Sequence, residues 1–174
     1  MSLESRRRAL MGPNGEEILY EPKTGCYYTN PLDITISGYV GNSGELASRY
    51  ARCSYLTEAT IRGTSVIGRS GDGNDCLSYN PLLEKVNLPR GCGTNSYIAQ
   101  SCPKLSEVTL GSVGHAVTGL YYNAFRNSGT SAESKTITVY VSDSATLPLT
   151  SAPWGLTGAT VIYRSATTGE VIEV

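Results

Sequence analysis

At 174 residues, with a formal net charge of −1 and a pI near 5.8, the chain is long enough for one domain with a core. It carries neither the basic face of a nucleic-acid binder nor an acidic tail. It holds no run of about 20 apolar residues of the kind that crosses a membrane as a helix, and its charged opening, Met1 to Met11, has no apolar stretch behind it that would read as a secretory signal. Twelve Tyr stand against one Phe and one Trp, alongside 19 Gly and 8 Pro, a composition that suits strands and turns better than long helices. The five cysteines (Cys26, Cys53, Cys76, Cys92, Cys102) are odd in number and lack CxxC spacing. They fit neither a disulfide framework nor a zinc site; Cys53 and Cys102, at equivalent repeat positions, read as small buried side chains, and a single disulfide is left open.

In chain order, residues 3–11 are expected to form the one helix, with Ser2 able to cap it and Gly12-Pro13-Asn14-Gly15 ending it. Glu17 to Glu21 and Cys26 to Thr29 then flank Pro22-Lys23-Thr24-Gly25 as a hairpin. Residues 1–32 thus form an N-terminal element of helix plus hairpin.

From Leu32 the chain repeats itself. Leu83-Glu-Lys-Val86-Asn-Leu88 returns as Leu105-Ser-Glu-Val108-Thr-Leu110, and more weakly upstream as Leu56-Thr-Glu-Ala59-Thr-Ile61. The leading leucines are 27 and then 22 residues apart, which is the length of one solenoid turn. A strand this short buries no face alone. Stacked turns set Leu83, Val86 and Leu88 between their counterparts in one continuous core, with a parallel sheet along a side and Glu84, Lys85 and Glu107 outside. A corner precedes each strand, at Tyr50 to Cys53, Ile98 to Cys102 and Ala124 to Ser128, closed by a small residue where turns approach. The last repeat strand is Thr136 to Val141. Beyond it, Trp154, the stretch Thr157 to Tyr163, the turn Ala166 to Gly169 and the strand Glu170 to Val174 are expected to cover the open end as a β cap. The division is 1–32 N-terminal element, 33–144 repeats and 145–174 cap.

These residues resemble a known family. The Leu83 to Pro89 strand, the corners Ile98 to Cys102 and Ala124 to Ser128, and the ending Ala152-Pro-Trp-Gly-Leu-Thr-Gly-Ala-Thr-Val161 are similar to BspA-like leucine-rich repeat proteins, over roughly residues 33–165. Ala59 replaces the usual Val, and Gly63 and Gly111 replace the proline after the strand. The resemblance implies a mainly β, short leucine-rich-repeat solenoid that binds rather than catalyses, as in bacterial surface adhesins and in tail or surface proteins of phages from gut bacteria. The opening Met1 to Met11, with Arg6, Arg7 and Arg8, is similar to the start of such virion proteins, which tips the expected location to a virion over a bacterial cell surface.

No catalytic constellation stands out. His115 is the one histidine and lies in a repeat loop without a local partner. Ser101-Cys-Pro-Lys104 fits S-x-x-K but lacks its companion motifs, and a hydrolase is the remote third reading after virion component and adhesin. Gly71-Asp-Gly-Asn-Asp75 has oxygens but not calcium-loop spacing, so no metal and no cofactor is expected. Arg6, Arg7 and Arg8 read as an anchoring contact. The tyrosines outnumber what a core needs, and Tyr97, Tyr121 and Tyr122, outside the strand pattern, are candidates with His115 for a ligand or subunit surface. The partners expected are other virion proteins or a host surface protein or glycan, with no nucleic acid, no membrane insertion, and assembly as a homo-oligomer. Recognition would fall in the loops 63–80, 89–97 and 111–123.

Overall fold

The computed structural model describes residues 15, 17–23, 25–36, 50–63, 76–90 and 97–174. The helix expected over 3–11, the arginines at 6–8 and the loop at 71–75 lie outside them.

Among the described residues the fold is β throughout. Strands β1 (Ile18–Glu21) and β2 (Cys26–Thr29) form the hairpin, antiparallel with Leu19 opposite Tyr28. Its turn closes through a bond from Gly25 N to Glu21 O of 2.9 Å. The chain then lays down β3 (Leu32–Ile36), β4 (Glu58–Gly63), β5 (Lys85–Leu88), β6 (Glu107–Leu110), β7 (Thr136–Val141) and β8 (Thr160–Ser165), each parallel to the one before, and ends with β9 (Val171–Ile172) antiparallel to β8.

The register explains the repeat. Leu32, Ala59, Val86, Val108, Ile137 and Val161 lie in one row across the sheet. All but Val161, which is half-buried, are closed off from solvent. Leu56, Leu83 and Leu105, each three residues ahead, are wholly buried, as are Leu88 and Leu110. Burial of one such side chain is worth ~2 kcal/mol, so the stack of rows dominates stability. The alternate positions face out: Glu84, Lys85 and Glu107 are exposed, and Lys85 reaches Glu58 at 4.0 Å and Glu107 at 3.5 Å. Asp33 and Arg62 pair through two parallel bonds of 2.9 and 3.0 Å, which hold the Asp33 carboxyl below its ordinary range.

On the far side of each turn a second ladder forms at the corners. Arg52 N donates to Ser78 O, Tyr79 N to Gln100 O and Ser101 N to Arg126 O, at 2.9–3.0 Å. Arg52, Tyr79, Ser101 and Asn127 occupy the same place in successive turns and all are left-handed, with φ of 59°, 61°, 54° and 58°. An L-residue pays about 1 kcal/mol for that conformation, and only Asn is well suited to it. The repeat geometry therefore overrides local preference at three of the four corners.

The residue after each corner points inward. Cys53, Asn80, Cys102 and Ser128 fill this slot. Cys53 N donates to the Asn80 side-chain oxygen, and Cys102 N to Ser128 Oγ at 2.9 Å. The slot is thus a polar clasp between turns, not only a place for small apolar groups: the Cys102 thiol itself donates to Leu77 O at 3.2 Å. Cys76 is buried outside the slot, and burial pushes its thiol up to about 12, leaving it protonated and unreactive at neutral pH.

Both ends of the stack are covered. Ahead of β4, N–H groups are taken by side chains of the hairpin and of Asn30 just beyond it. Glu21 accepts from Ser54 N at 3.0 Å, the Tyr28 hydroxyl from Tyr55 N at 3.1 Å and Asn30 Oδ1 from Thr57 N at 3.0 Å. Burial pushes the Tyr28 hydroxyl up to about 12. At the other end Trp154 is wholly buried, and its backbone oxygen accepts from Phe125 N at 2.9 Å.

Glu21 gives a pH signature. Burial pulls its carboxyl pKa upward, but bonds from Ser54 Oγ, Ser54 N and Lys23 N outweigh this and set it below the ordinary 4.5. A depressed folded-state pKa contributes stability above the unfolded value, which is lost as pH falls from 4.5 through the folded value. Glu21→Gln should cost about 1–2 kcal/mol at neutral pH. The gap to wild type in urea midpoints should close as the pH is lowered below that window; a constant gap across pH would mean the carboxylate charge is not what holds the hairpin.

Among the described residues no helix is long and apolar enough to cross a membrane.

Candidate functional site

Three tyrosines from two successive turns meet at one corner. Tyr97 immediately precedes the corner that begins at Ile98, and Tyr121-Tyr122-Asn123 precedes the next one at Ala124. Ile98 N and Ala99 N both donate to Ala124 O, at 2.9 and 3.2 Å, which locks these two corners side by side. The residues leading into them are brought together as a result. The Tyr97 and Tyr121 rings meet edge to face with centroids 5.3 Å apart, and Tyr121 and Tyr122 are tilted at 4.6 Å. Tyr122 is 57% exposed.

Tyr121 is the centre of the group. The neighbouring Tyr122 and Tyr97 phenols raise its pKa well above the ordinary 10. The three rings together offer phenol hydroxyls and aromatic faces. Such a surface suits ligands with an apolar face and hydroxyl edges, or another protein's side chains.

His115 stands in a different setting. It trades backbone bonds with Ser112 (His115 N to Ser112 O, 2.9 Å; Ser112 N to His115 O, 3.1 Å) in a tight bend beyond the end of β6. Gly111 is obligatory in that bend: its φ is 77°, and a Cβ there would fall 3.1 Å from the Tyr140 Cβ as well as onto His115 O. Ser101 is a corner residue whose N–H serves the inter-turn ladder, and Lys104 is exposed ahead of Leu105. Among the described residues no group of three or more His, Cys, Asp or Glu is placed to hold a metal ion.

Two polar cavities flank the stack. One, of about 300 Å³, lies over the outward face of β6 and β7 and is lined by Ser106, Glu107, Thr109, Ser134, Thr136 and Thr138. The second, of about 380 Å³, opens at the corner side and includes Asn123, Arg126 and Lys135. Sequence reasoning reached neither, because each is lined by residues from separate turns whose alignment depends on loop length. On the hairpin, Tyr20 and Tyr27 are cross-strand partners, 4.9 Å apart and both exposed.

No family model, curated protein or solved structure matches the chain.

Proposed function

From a stack of parallel turns that carries a solvent-facing tyrosine cluster, we propose a non-enzymatic binding and structural module of the BspA-like leucine-rich-repeat kind. In this reading it is a tail or surface component of a phage virion. Residues 1–32 anchor it through Arg6, Arg7 and Arg8 to other virion proteins, it assembles as a homo-oligomer, and the repeats present a surface to host protein or glycan. A bacterial surface adhesin would use the same fold and the same face.

The observation that carries the reading is the meeting of Tyr97, Tyr121 and Tyr122 on a rigid corner. Aromatic groups fixed by a scaffold lose little entropy on binding, which is why they dominate the energetics of recognition surfaces. The test is retention of the labelled protein on intact gut-bacterial cells. Tyr121→Ala should lower retention by roughly tenfold, the loss of one central aromatic contact. Tyr20→Ala on the hairpin should leave it unchanged. Equal retention of both variants and wild type would remove the tyrosine cluster as the binding face.

A further inference from the structure

The corner-side cavity brings two cations together. Its walls carry Arg126 and Lys135, surrounded by the side-chain amides and hydroxyls of Asn123, Asn127, Thr130 and Thr157, and none of its lining residues is acidic. On the outer face of the sheet, by contrast, Arg62 is paired with Asp33, and Lys85 lies between Glu58 and Glu107. Among the described residues neither Arg126 nor Lys135 has a carboxylate partner.

The backbone builds this cavity deliberately. Lys135 is tethered, its Nζ donating to Gly129 O at 3.3 Å, which leaves two of its three N–H groups for another acceptor. Gly129 (φ 67°) allows the close crossing, since a Cβ there would fall 2.8 Å from Leu105 O. Gly155 (φ 86°) does the same on the opposite wall, where a Cβ would lie 3.0 Å from Arg126 N. Two cations and a ring of neutral donors in a pocket free of acids are complementary to an anion, and the Arg guanidinium matches a carboxylate or sulfate through two parallel bonds.

One wall of the cavity is joined to the tyrosines by the chain itself. Asn123, on its wall, directly follows Tyr122, the most exposed ring of the cluster. An apolar ring face and an anion site side by side fit one ligand chemistry well: a sugar that carries an acidic group. We infer that this corner binds an acidic saccharide, with Arg126 and Lys135 holding its carboxylate or sulfate while the Tyr121 and Tyr122 rings take a sugar face. The inference rests on the binding-module reading and gives that surface a ligand class.

Calorimetric titration of the full chain with a galacturonic acid trisaccharide, a sulfated galactose trisaccharide and neutral galactotriose tests it, the first two separating carboxylate from sulfate. At least one anionic trisaccharide should bind about tenfold more tightly than the neutral one, with an affinity that falls as salt is raised. Arg126 is exposed, so its variants should fold. Arg126→Gln should weaken the anionic ligand about tenfold, and Arg126→Lys should recover part of that loss. Equal binding of neutral and anionic sugars, an unchanged Kd in Arg126→Gln, or binding of a DNA oligonucleotide with all three sugars silent would each overturn the inference. If cell retention still depends on Tyr121 in that event, the ligand class fails while the binding-module reading stands.

Discussion

Trp154→Ala should lower the unfolding free energy by about 4 kcal/mol, the usual cost of emptying a fully buried tryptophan site. The side chain is 0% exposed, its Nε1 donates to Thr150 O at 3.0 Å, and its backbone oxygen takes Phe125 N. Within the corner ladder it stands in the column already occupied by Cys76, Ile98 and Ala124, because Leu77 N, Ala99 N and Phe125 N donate to Ile98 O, Ala124 O and Trp154 O in turn. It is both the last corner and the plug that fills the space beside Phe125 and Leu156. In a stack where each turn contacts only its neighbours, such damage is felt first at the end. Urea denaturation followed by far-UV circular dichroism should show the lowered midpoint. Amide exchange should lose protection in β8 and β7 ahead of β5. A loss below about 1 kcal/mol, or uniform loss of protection along the sheet, would mean that Trp154 does not hold the terminal turn.

The second large effect lies in the middle of the stack. Asn80 is wholly buried, its oxygen accepts from Cys53 N, and its amide donates to Tyr50 O at 2.8 Å and Leu77 O at 2.9 Å. Asn80→Ala removes this partner from Cys53 N and Tyr50 O, while Leu77 O keeps the Cys102 thiol as donor. At 1–3 kcal/mol for each of these two groups, and allowing for relaxation, the loss should be about 2–4 kcal/mol. Asn80→Ser is the informative companion. Ser128 fills the equivalent slot two turns on, accepting from Cys102 N and donating to Ala99 O at 2.6 Å, so serine is a native solution there. The serine variant should recover part of the loss in the same urea titration. If alanine and serine are equally destabilised, the Ser128 arrangement does not transfer, and the slot depends on the reach of the longer amide. If both are near neutral, the clasp contributes little.

These two residues show where reading the chain succeeds and where it stops. Leu83, Val86 and Leu88 announce themselves by spacing, because a strand buried on one face must place apolar groups at fixed intervals. The parallel register of Val86 with Val108 follows from the repeat itself. Trp154 is visible as the one tryptophan, placed after the last repeat strand. Asn80, by contrast, looks like a turn residue before Pro81. Nothing local to it reports that Cys53 N and Tyr50 O, from another stretch of chain, converge there with Leu77 O of its own turn. The left-handed corners at Arg52, Tyr79 and Ser101 are equally silent, since none of these residue types prefers that conformation.

The candidate surface divides the same way. Tyr97, Tyr121 and Tyr122 were selectable one by one, as tyrosines outside the strand pattern. Their meeting was not, because it depends on Ile98 N and Ala99 N finding Ala124 O across a loop of irregular length. His115, chosen on the same grounds, is held by Ser112 in its own bend.

By itself, then, the sequence determined that this protein stacks turns around rows of aliphatic side chains, with a hairpin before them and a tryptophan-bearing cap after. Those features arise from periodicity and burial, which act between residues a few positions apart or one repeat apart. Only the tertiary structure decided which polar groups clasp the turns together, which rings share a corner, and that Arg126 and Lys135 line one acid-free cavity. Hydrogen bonds and charges act over a few ångströms in space, and in a solenoid that neighbourhood is set by the length of each intervening loop.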